Sequence, residues 1–406
     1  MKAKQVKPGI YWVGAIDWNV RDFHGYLTPR GTTYNNFLIM DRKIALVDTV
    51  KYDFADVMFE RIRCLTNPEK IQVAVCNHIE MDHASTWDRV MSVARKATLY
   101  CTERAKEGLD RHFDTTGWDI QIVGTGDRVK LGDKTLLFIE TPMLHWPDSM
   151  MTYVEEDRLL ISQDAFGQHY AQAVLFDDLV PQETLEDAVI DYYANILMPF
   201  GRLIKAKIAE LQKLGLEVDM IAPDHGVIWR KNPEKVIRMY LEMAQGRARE
   251  GVVIVYDTMW RSTERMARAV LDGILEEGMY AEVIKLRETP MSVAIKQFWK
   301  YRGLLVGTPT LNNLMFPTVA EFMQHLRGLR PHSRIASAFG SYGWGGGGVR
   351  EALGILKSLK LEVVEPGYEV KYRPSDKDYE QGYDFGRLFA QKVREYHEKV
   401  EKEVVV

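Results

Sequence analysis

A chain of 406 residues, 46% hydrophobic and 27% charged, has apolar material for two or three ordinary domains, which excludes a disordered chain or a small disulfide-held scaffold. Lys+Arg 53 against Asp+Glu 57 leaves a formal net charge of -4, so no basic field draws nucleic acid. Cys64, Cys76 and Cys101 form no C-x-x-C pair, no apolar run nears the roughly 18 residues of a membrane span, and the N-terminus lacks a signal-peptide core. The expectation is a cytoplasmic protein that engages neither nucleic acid nor membrane.

Strands are predicted at 9–16, 34–40, 43–49, 71–76, 97–101, 119–123, 135–140, 151–155 and 158–162, with polar turns such as Asp41-Arg42 and Gly132-Asp133 between them. Helical periodicity covers 52–65, 86–94, 183–214 and 233–249. Strands recurring in pairs predict an antiparallel-rich α/β sheet system covered by helices. After Gly251 the rhythm changes to alternation. Strands 252–257, 281–286, 302–307, 334–339 and 361–365 are separated by helices near 263–277, 291–299, 317–328, 348–359 and 377–401. That pattern predicts a five-stranded parallel, doubly wound sheet of order 2-1-3-4-5. The boundary is expected at 246–251, giving domains 1–249 and 250–406.

Histidine gathers in the first domain as His24, His78, His83, His112, His145, His169 and His225. The strand IQVAVC leads into Asn77-His78-Ile79-Glu80-Met81-Asp82-His83. Four potential ligands so close together converge only if the chain turns sharply, because alternate residues of a strand share a face and His83 breaks that alternation. His145, Asp164 and His225 each lie just past an apolar strand: LLFIETPML, LLISQD and MIAPDH. One histidine at a strand end is ordinarily a hydrogen-bonding residue. Three such ends with the 78–83 cluster point to a metal pair. His169 reads as packing.

In the second domain Asp257-Thr258-Met259-Trp260-Arg261-Ser262-Thr263 follows the first strand and opens a helix. Hydroxyls of Thr258, Ser262 and Thr263 beside helix N-terminal N–H groups make a phosphate cradle. There is no G-x-x-x-x-G-K-[ST] and no G-x-G-x-x-G at this turn, against a triphosphate or dinucleotide. Thr308-Pro309-Thr310-Leu311-Asn312-Asn313 follows the third strand and Gly340-Ser341-Tyr342-Gly343-Trp344-Gly345 the fourth. These loops share the carboxyl edge at the switch point, where an aromatic among glycines suits a flat ring. The set resembles flavodoxin, and its single cradle implies the mononucleotide FMN.

The series H-x-E-x-D-H, then His, Asp and His, resembles the metallo-β-lactamase fold, an αββα sandwich with a dinuclear site. Its hydrolases usually carry His where Glu80 stands, and a hard oxygen suits iron better than a water-activating zinc site. Joined to the flavodoxin-like half, essentially the whole chain resembles the flavodiiron proteins, or A-type flavoproteins. The resemblance implies two non-haem irons, one held by His78, Glu80 and His145 and the other by Asp82, His83 and His225, with Asp164 bridging. In some members solvent displaces the equivalent of His83. It further implies FMN as relay, reduction of dioxygen to water and/or nitric oxide to nitrous oxide, and His24 and Tyr193 near the substrate. A head-to-tail homodimer or dimer of dimers is implied too. Because the sequence ends at Val406 without a cysteine-bearing module, the expected donor is separate, a rubredoxin or a reduced deazaflavin. Competing readings are a dizinc hydrolase with a flavodoxin module, and a redox carrier or gas sensor without turnover.

Overall fold

The computed structural model describes residues 2–404; Val405 and Val406 at the expected chain end lie outside the described residues, as does Met1. The chain divides into two units. One holds the residues up to Phe23, Thr28–Tyr192 and Arg202–Leu241; the other holds His24–Leu27, Tyr193–Gly201 and the described residues from Glu242 onward.

The first unit contains a seven-stranded sheet in the order Lys4–Lys7, Ile10–Trp12, Phe37–Ile39, Ile44–Val47, Ile71–Val75, Thr98–Cys101 and Asp119–Ile122. Pairing is antiparallel up to Ile44–Val47 and parallel beyond it. Strand alternation divides the side chains between two cores. Phe37, Ile39, Ala45, Val47, Val73 and Val75 join Leu136, Phe138, Met150 and Ile161 of a second sheet. Leu38, Ile44, Leu46, Ile71 and Ala74 pack on Met58, Phe59, Ile62, Trp87, Val90 and Leu109 of the outer helices. The second sheet runs Arg128–Lys130, Thr135–Glu140, Met150–Val154, Leu159–Gln163 and Met220–Pro223, with only its last pair parallel. This is the two-sheet sandwich that the resemblance implies.

Three local differences from the sequence reading have physical causes. The expected strand 9–16 is two strands, Ile10–Trp12 in the large sheet and Ala15–Asp17 paired with Thr32–Tyr34. Gly14 sits at the break, where a Cβ would lie 2.2 Å from Tyr34 O. The expected helix 183–214 ends at Tyr192, passes through the wide turn Tyr193–Leu197 and the tight turn Met198–Phe200, and resumes as Gly201–Lys213. Pro199 has no N–H to continue a helical ladder. The helix Glu103–His112 escaped the periodicity reading because it buries only Ala105 and Leu109; Thr102 caps it by accepting from Ala105 N at 3.1 Å.

In the second unit the sheet order is Ala281–Lys285, Arg249–Tyr256, Tyr301–Gly307, Ile335–Tyr342 and Glu362–Val363, the expected 2-1-3-4-5 arrangement, all parallel. The edge does not stop there. Tyr368–Lys371 resumes parallel pairing with the carboxyl half of Ile335–Tyr342. Val252 and Ile254 pack against Met266, Val270 and Ile274 of the helix Ser262–Glu276 and Phe389 and Val393 of Asp376–Val404. Among the described residues no helix is long and apolar enough to cross a membrane.

Candidate metal centre and flavin cavity

The sharp turn expected after IQVAVC is present: His78 and Glu80 lie in the loop past Ile71–Val75, and the helical turn Met81–Ala84 carries Asp82 and His83. Strand ends supply Asp164 and His225, whereas the strand of LLFIETPML, expected to run up to His145, stops at Glu140 and leaves His145 in the middle of the loop 141–149. The ligand atoms fall into two groups, His78, Glu80, His145 and Asp164 in one and Asp82, His83 and His225 in the other, each within 4.8 Å. Asp164 serves both. Its Oδ2 is 3.3 Å from His78 Nε2 and 3.0 Å from His145 Nε2, while its Oδ1 is 3.2 Å from His83 Nε2 and 3.4 Å from His225 Nε2. Glu80 Oε2 is 3.3 and 3.4 Å from the first imidazole pair, and Asp82 Oδ2 is 3.1 Å from each of the second.

Ligands bonded at about 2.1 Å and separated by tetrahedral or octahedral angles stand roughly 3.0–3.4 Å apart. The observed spacings are of that size. Both carboxylate oxygens of Asp82 and Nε2 of His225 are buried without a hydrogen bond, as donors aimed at a shared cation would be. The outer nitrogens are occupied: His78 Nδ1 lies 2.9 Å from Asp148 Oδ2, and His225 Nδ1 donates to Thr33 O at 2.7 Å. His83 Nδ1 stands 3.4 Å from Asp224 Oδ2, an electrostatic neighbour. These contacts turn the Nε2 lone pairs inward. Asp148 is itself fixed by Ile79 N at 2.8 Å.

The field at the site is strongly negative. Burial opposes a charged His78, yet Asp148, Glu80 and Asp164 push it up to about 10. Against the same burial, Asp164 and Glu80 raise His145 to about 8. Burial alone would raise Asp164, but His83 and His145 hold it well below the usual carboxylate range. A potential that retains protons on imidazoles is one that a dication replaces them in.

At the carboxyl edge of the second unit's sheet is a cavity of about 720 Å³. Thr258, Met259, Trp260 and Ser262 line it from the first loop, Pro309, Thr310, Leu311, Asn312 and Asn313 from the second, and Ser341, Tyr342, Gly343, Trp344 and Gly345 from the third. Four expected residues build the loops rather than the wall. Arg261 turns the chain into the helix at φ 65, Thr263 Oγ1 lies 3.3 Å from Ser341 Oγ, and Thr308 Oγ1 accepts from Phe316 N at 2.9 Å. At Gly340 a Cβ would sit 1.8 Å from Thr308 O. Thr258 Oγ1 is buried with no hydrogen bond, an open donor in the phosphate cradle, and Trp260 and Trp344 are 86% and 92% exposed, flat apolar faces at the rim. Hydroxyls at one end and rings at the other fit a flavin mononucleotide. Tyr372 and Arg373 also line the cavity, past the resumed edge strand.

Residues 32–226 match the family described as ODP family beta lactamase, and 254–386 match flavodoxin. A nitric oxide reductase of Moorella thermoacetica is 45% identical over 96% of this chain and 98% of its own length. Rubredoxin oxygen:oxidoreductase from Desulfovibrio gigas superposes with a TM-score of 0.95 at 36% identity, covering 97% of this chain and 99% of that one. The flavodiiron protein from Giardia intestinalis gives 0.94 at 33% identity, with 98% of each chain covered. The chain belongs to the flavodiiron family. It is an FMN- and diiron-dependent oxidoreductase, and the hydrolase and carrier readings give way.

Within this flavodiiron chain two expected substrate-side residues stand differently from the seven ligands. His24 is exposed in a two-residue turn at φ 53. Tyr193 is fully buried and stacks on Trp299 with centroids 5.9 Å apart. Its neighbour Tyr192 has its ring 5.0 Å from His169 and 6.2 Å from His225, and Tyr34 stands 6.1 Å from His225 as well. His169 does more than pack at random: its Nδ1 is 2.8 Å from Thr32 Oγ1 and its ring 4.7 Å from that of His225. Asp148 and Asp224 were not singled out from sequence, although each lies within three residues of a candidate histidine.

Proposed function

We propose that this flavodiiron protein reduces nitric oxide to nitrous oxide and dioxygen to water in the cytoplasm, with electrons from a rubredoxin or a reduced deazaflavin. The support that carries this reading is Asp164, whose two oxygens face separate ligand groups. A carboxylate so placed could contact two metals at once, and a metal pair would supply two electrons to one bound gas molecule. His78, Glu80 and His145 would hold one iron, and Asp82, His83 and His225 the other. In the second unit Thr258 and Ser262 would bind the FMN phosphate, with the Trp260 and Trp344 faces against the ring. When bound, the two irons and the FMN supply the electrons and the place where the gas is reduced.

The chain's own contribution is orientation and exclusion of water. Asp148 and Thr33 O fix the His78 and His225 rings from outside, and burial of six of the seven ligands keeps bulk water from the centre. Tyr192 and His169 close one side beside His225. His24 is assigned to substrate handling by the resemblance. The exposed rings of Trp260, Trp344 and Tyr372 support a partner surface at the cavity rim, either the donor or the second copy of a head-to-tail homodimer.

The test is anaerobic reduction of the purified holoprotein followed by separate oxidation with each gas, counting electrons delivered. Oxidation by both is expected, with nitrous oxide from one and no peroxide from the other. Failure of one gas to reoxidise the reduced protein would remove that gas from the proposal, and failure of both would refute it.

A further inference from the structure

Arg373 carries the only charge among the side chains that line the flavin cavity; the rest are hydroxyl, amide, aromatic or apolar groups and glycines. No carboxylate opposes it there. Asp257, at the root of the phosphate loop, is fully buried and stands 3.0 Å from Arg287, while Glu369 lies behind Gly346, outside the lining. Among the described residues Arg373 makes no ion pair or hydrogen bond, so its charge is not already spent.

Its place in the sheet decides which end of a bound flavin it meets. The phosphate cradle follows Arg249–Tyr256, and Arg373 follows Tyr368–Lys371 on the other side of Tyr301–Gly307 and Ile335–Tyr342. Three strand spacings of about 4.8 Å put these edges roughly 14 Å apart. Arg373 therefore enters from the edge opposite the cradle, beside Tyr372, whose ring lies 3.5 Å from a Cβ placed on Gly343. That is the ring end of the cavity.

Oxidised isoalloxazine is neutral. Two electrons and one proton leave the ring with one negative charge, spread over N1 and the C2 carbonyl. A guanidinium is charged at every working pH and presents a planar fork to such an anion. We propose that Arg373 is the counter-charge for the reduced FMN ring, so that this cavity binds the reduced anion more tightly than the oxidised ring and the flavin potential is held up. The proposal rests on the reading of this cavity as the FMN site.

The test is a potentiometric titration of the flavin absorbance in the holoprotein, alongside FMN and riboflavin dissociation constants. In Arg373→Gln the ratio of reduced to oxidised affinity should fall about tenfold, lowering the two-electron midpoint by about 30 mV. Water screens an exposed charge, which keeps the effect near that size. Iron content and oxidised-FMN affinity should stay the same, and Arg373→Lys should recover most of the midpoint. An unchanged midpoint in Arg373→Gln would overturn the proposal. So would an equal loss of affinity in both redox states with riboflavin spared, which marks a phosphate contact. A parent protein that binds no FMN would instead defeat the cavity reading, before any potential is measured.

Discussion

The metal centre and the flavin cavity hold their ligands by opposite means. In the first, six of seven donors are buried and three carboxylates crowd four imidazoles, so the site carries a negative charge that protons on the imidazoles or a bound metal must balance. In the second, the wall is nearly uncharged and open at the rim, and recognition rests on a hydroxyl cradle, glycine-lined loops and exposed rings. Metal binding is accordingly part of the first unit's stability, whereas flavin binding is closer to the filling of a preformed shape.

The largest expected effect breaks this comparison if the two metal positions are independent. Asp164→Ala removes an oxygen from each group and leaves four buried imidazoles short of a counter-charge. Iron affinity at both positions should drop at least 100-fold, with FMN content unchanged, as read by elemental analysis and flavin absorbance on the same sample. One iron retained at full occupancy would show that Asp164 serves a single group.

A smaller effect is expected one layer out. Asp148→Asn keeps the shape but weakens the partner that orients His78 at 2.9 Å. Loss of such a partner typically costs 10–100-fold in metal affinity. Competition with a chelator should show that loss for one iron of the two. The flavin midpoint should not move.

Without metal, the field at the first site becomes visible in its pH dependence. His145 at about 8 and His78 at about 10 lie above the ordinary imidazole value. Groups raised on folding stabilise fully below about 6.5 and lose that contribution as pH rises through their folded values. The chelated protein should therefore soften from pH 7 to 9. The share from His145 is about 2 kcal/mol, or roughly 4–8 °C in Tm for a unit of this size. With iron bound the imidazoles are neutral ligands and the first unit's Tm should stay flat over the same range. A flat profile for the chelated form would mean that the carboxylates there do not act on these rings.

The contrast also explains what could be read from sequence. His78, Glu80, Asp82 and His83 were legible because such residue types rarely follow a buried strand together, and the turn they need is the one present. The strand order of the second unit was legible because its helices and strands alternate strictly. Tyr192 and Tyr193 could not be told apart. Adjacent helical residues point about 100° apart, and the wide turn that starts at Tyr193 changes the phase in a way no propensity reports. Arg373 was missed because the strand before it alternates Tyr368 and Val370 with exposed Glu369 and Lys371, too short and polar to stand out.

The smallest effect sharpens the comparison at Thr258. Its hydroxyl is buried and makes no hydrogen bond, so the chain without flavin already carries the cost of an unsatisfied polar atom. In Thr258→Val the methyl groups occupy nearly the same volume and the unsatisfied hydroxyl is gone. FMN loses one hydrogen bond to its phosphate end, and hydrogen bonds to charged groups contribute about 1.5–3 kcal/mol. Neighbouring hydroxyls and helix N–H groups remain, so the loss should sit at the lower end, about tenfold in Kd. Titration of FMN into the flavin-free chain reads this directly, with calorimetry on the same sample reading Tm. The flavin-free variant should melt at or slightly above the parent, in contrast to the metal ligands, whose removal should change binding and stability together. A variant that loses stability while keeping its FMN affinity would place Thr258 in the loop's packing and leave Ser262 as the cradle's hydroxyl.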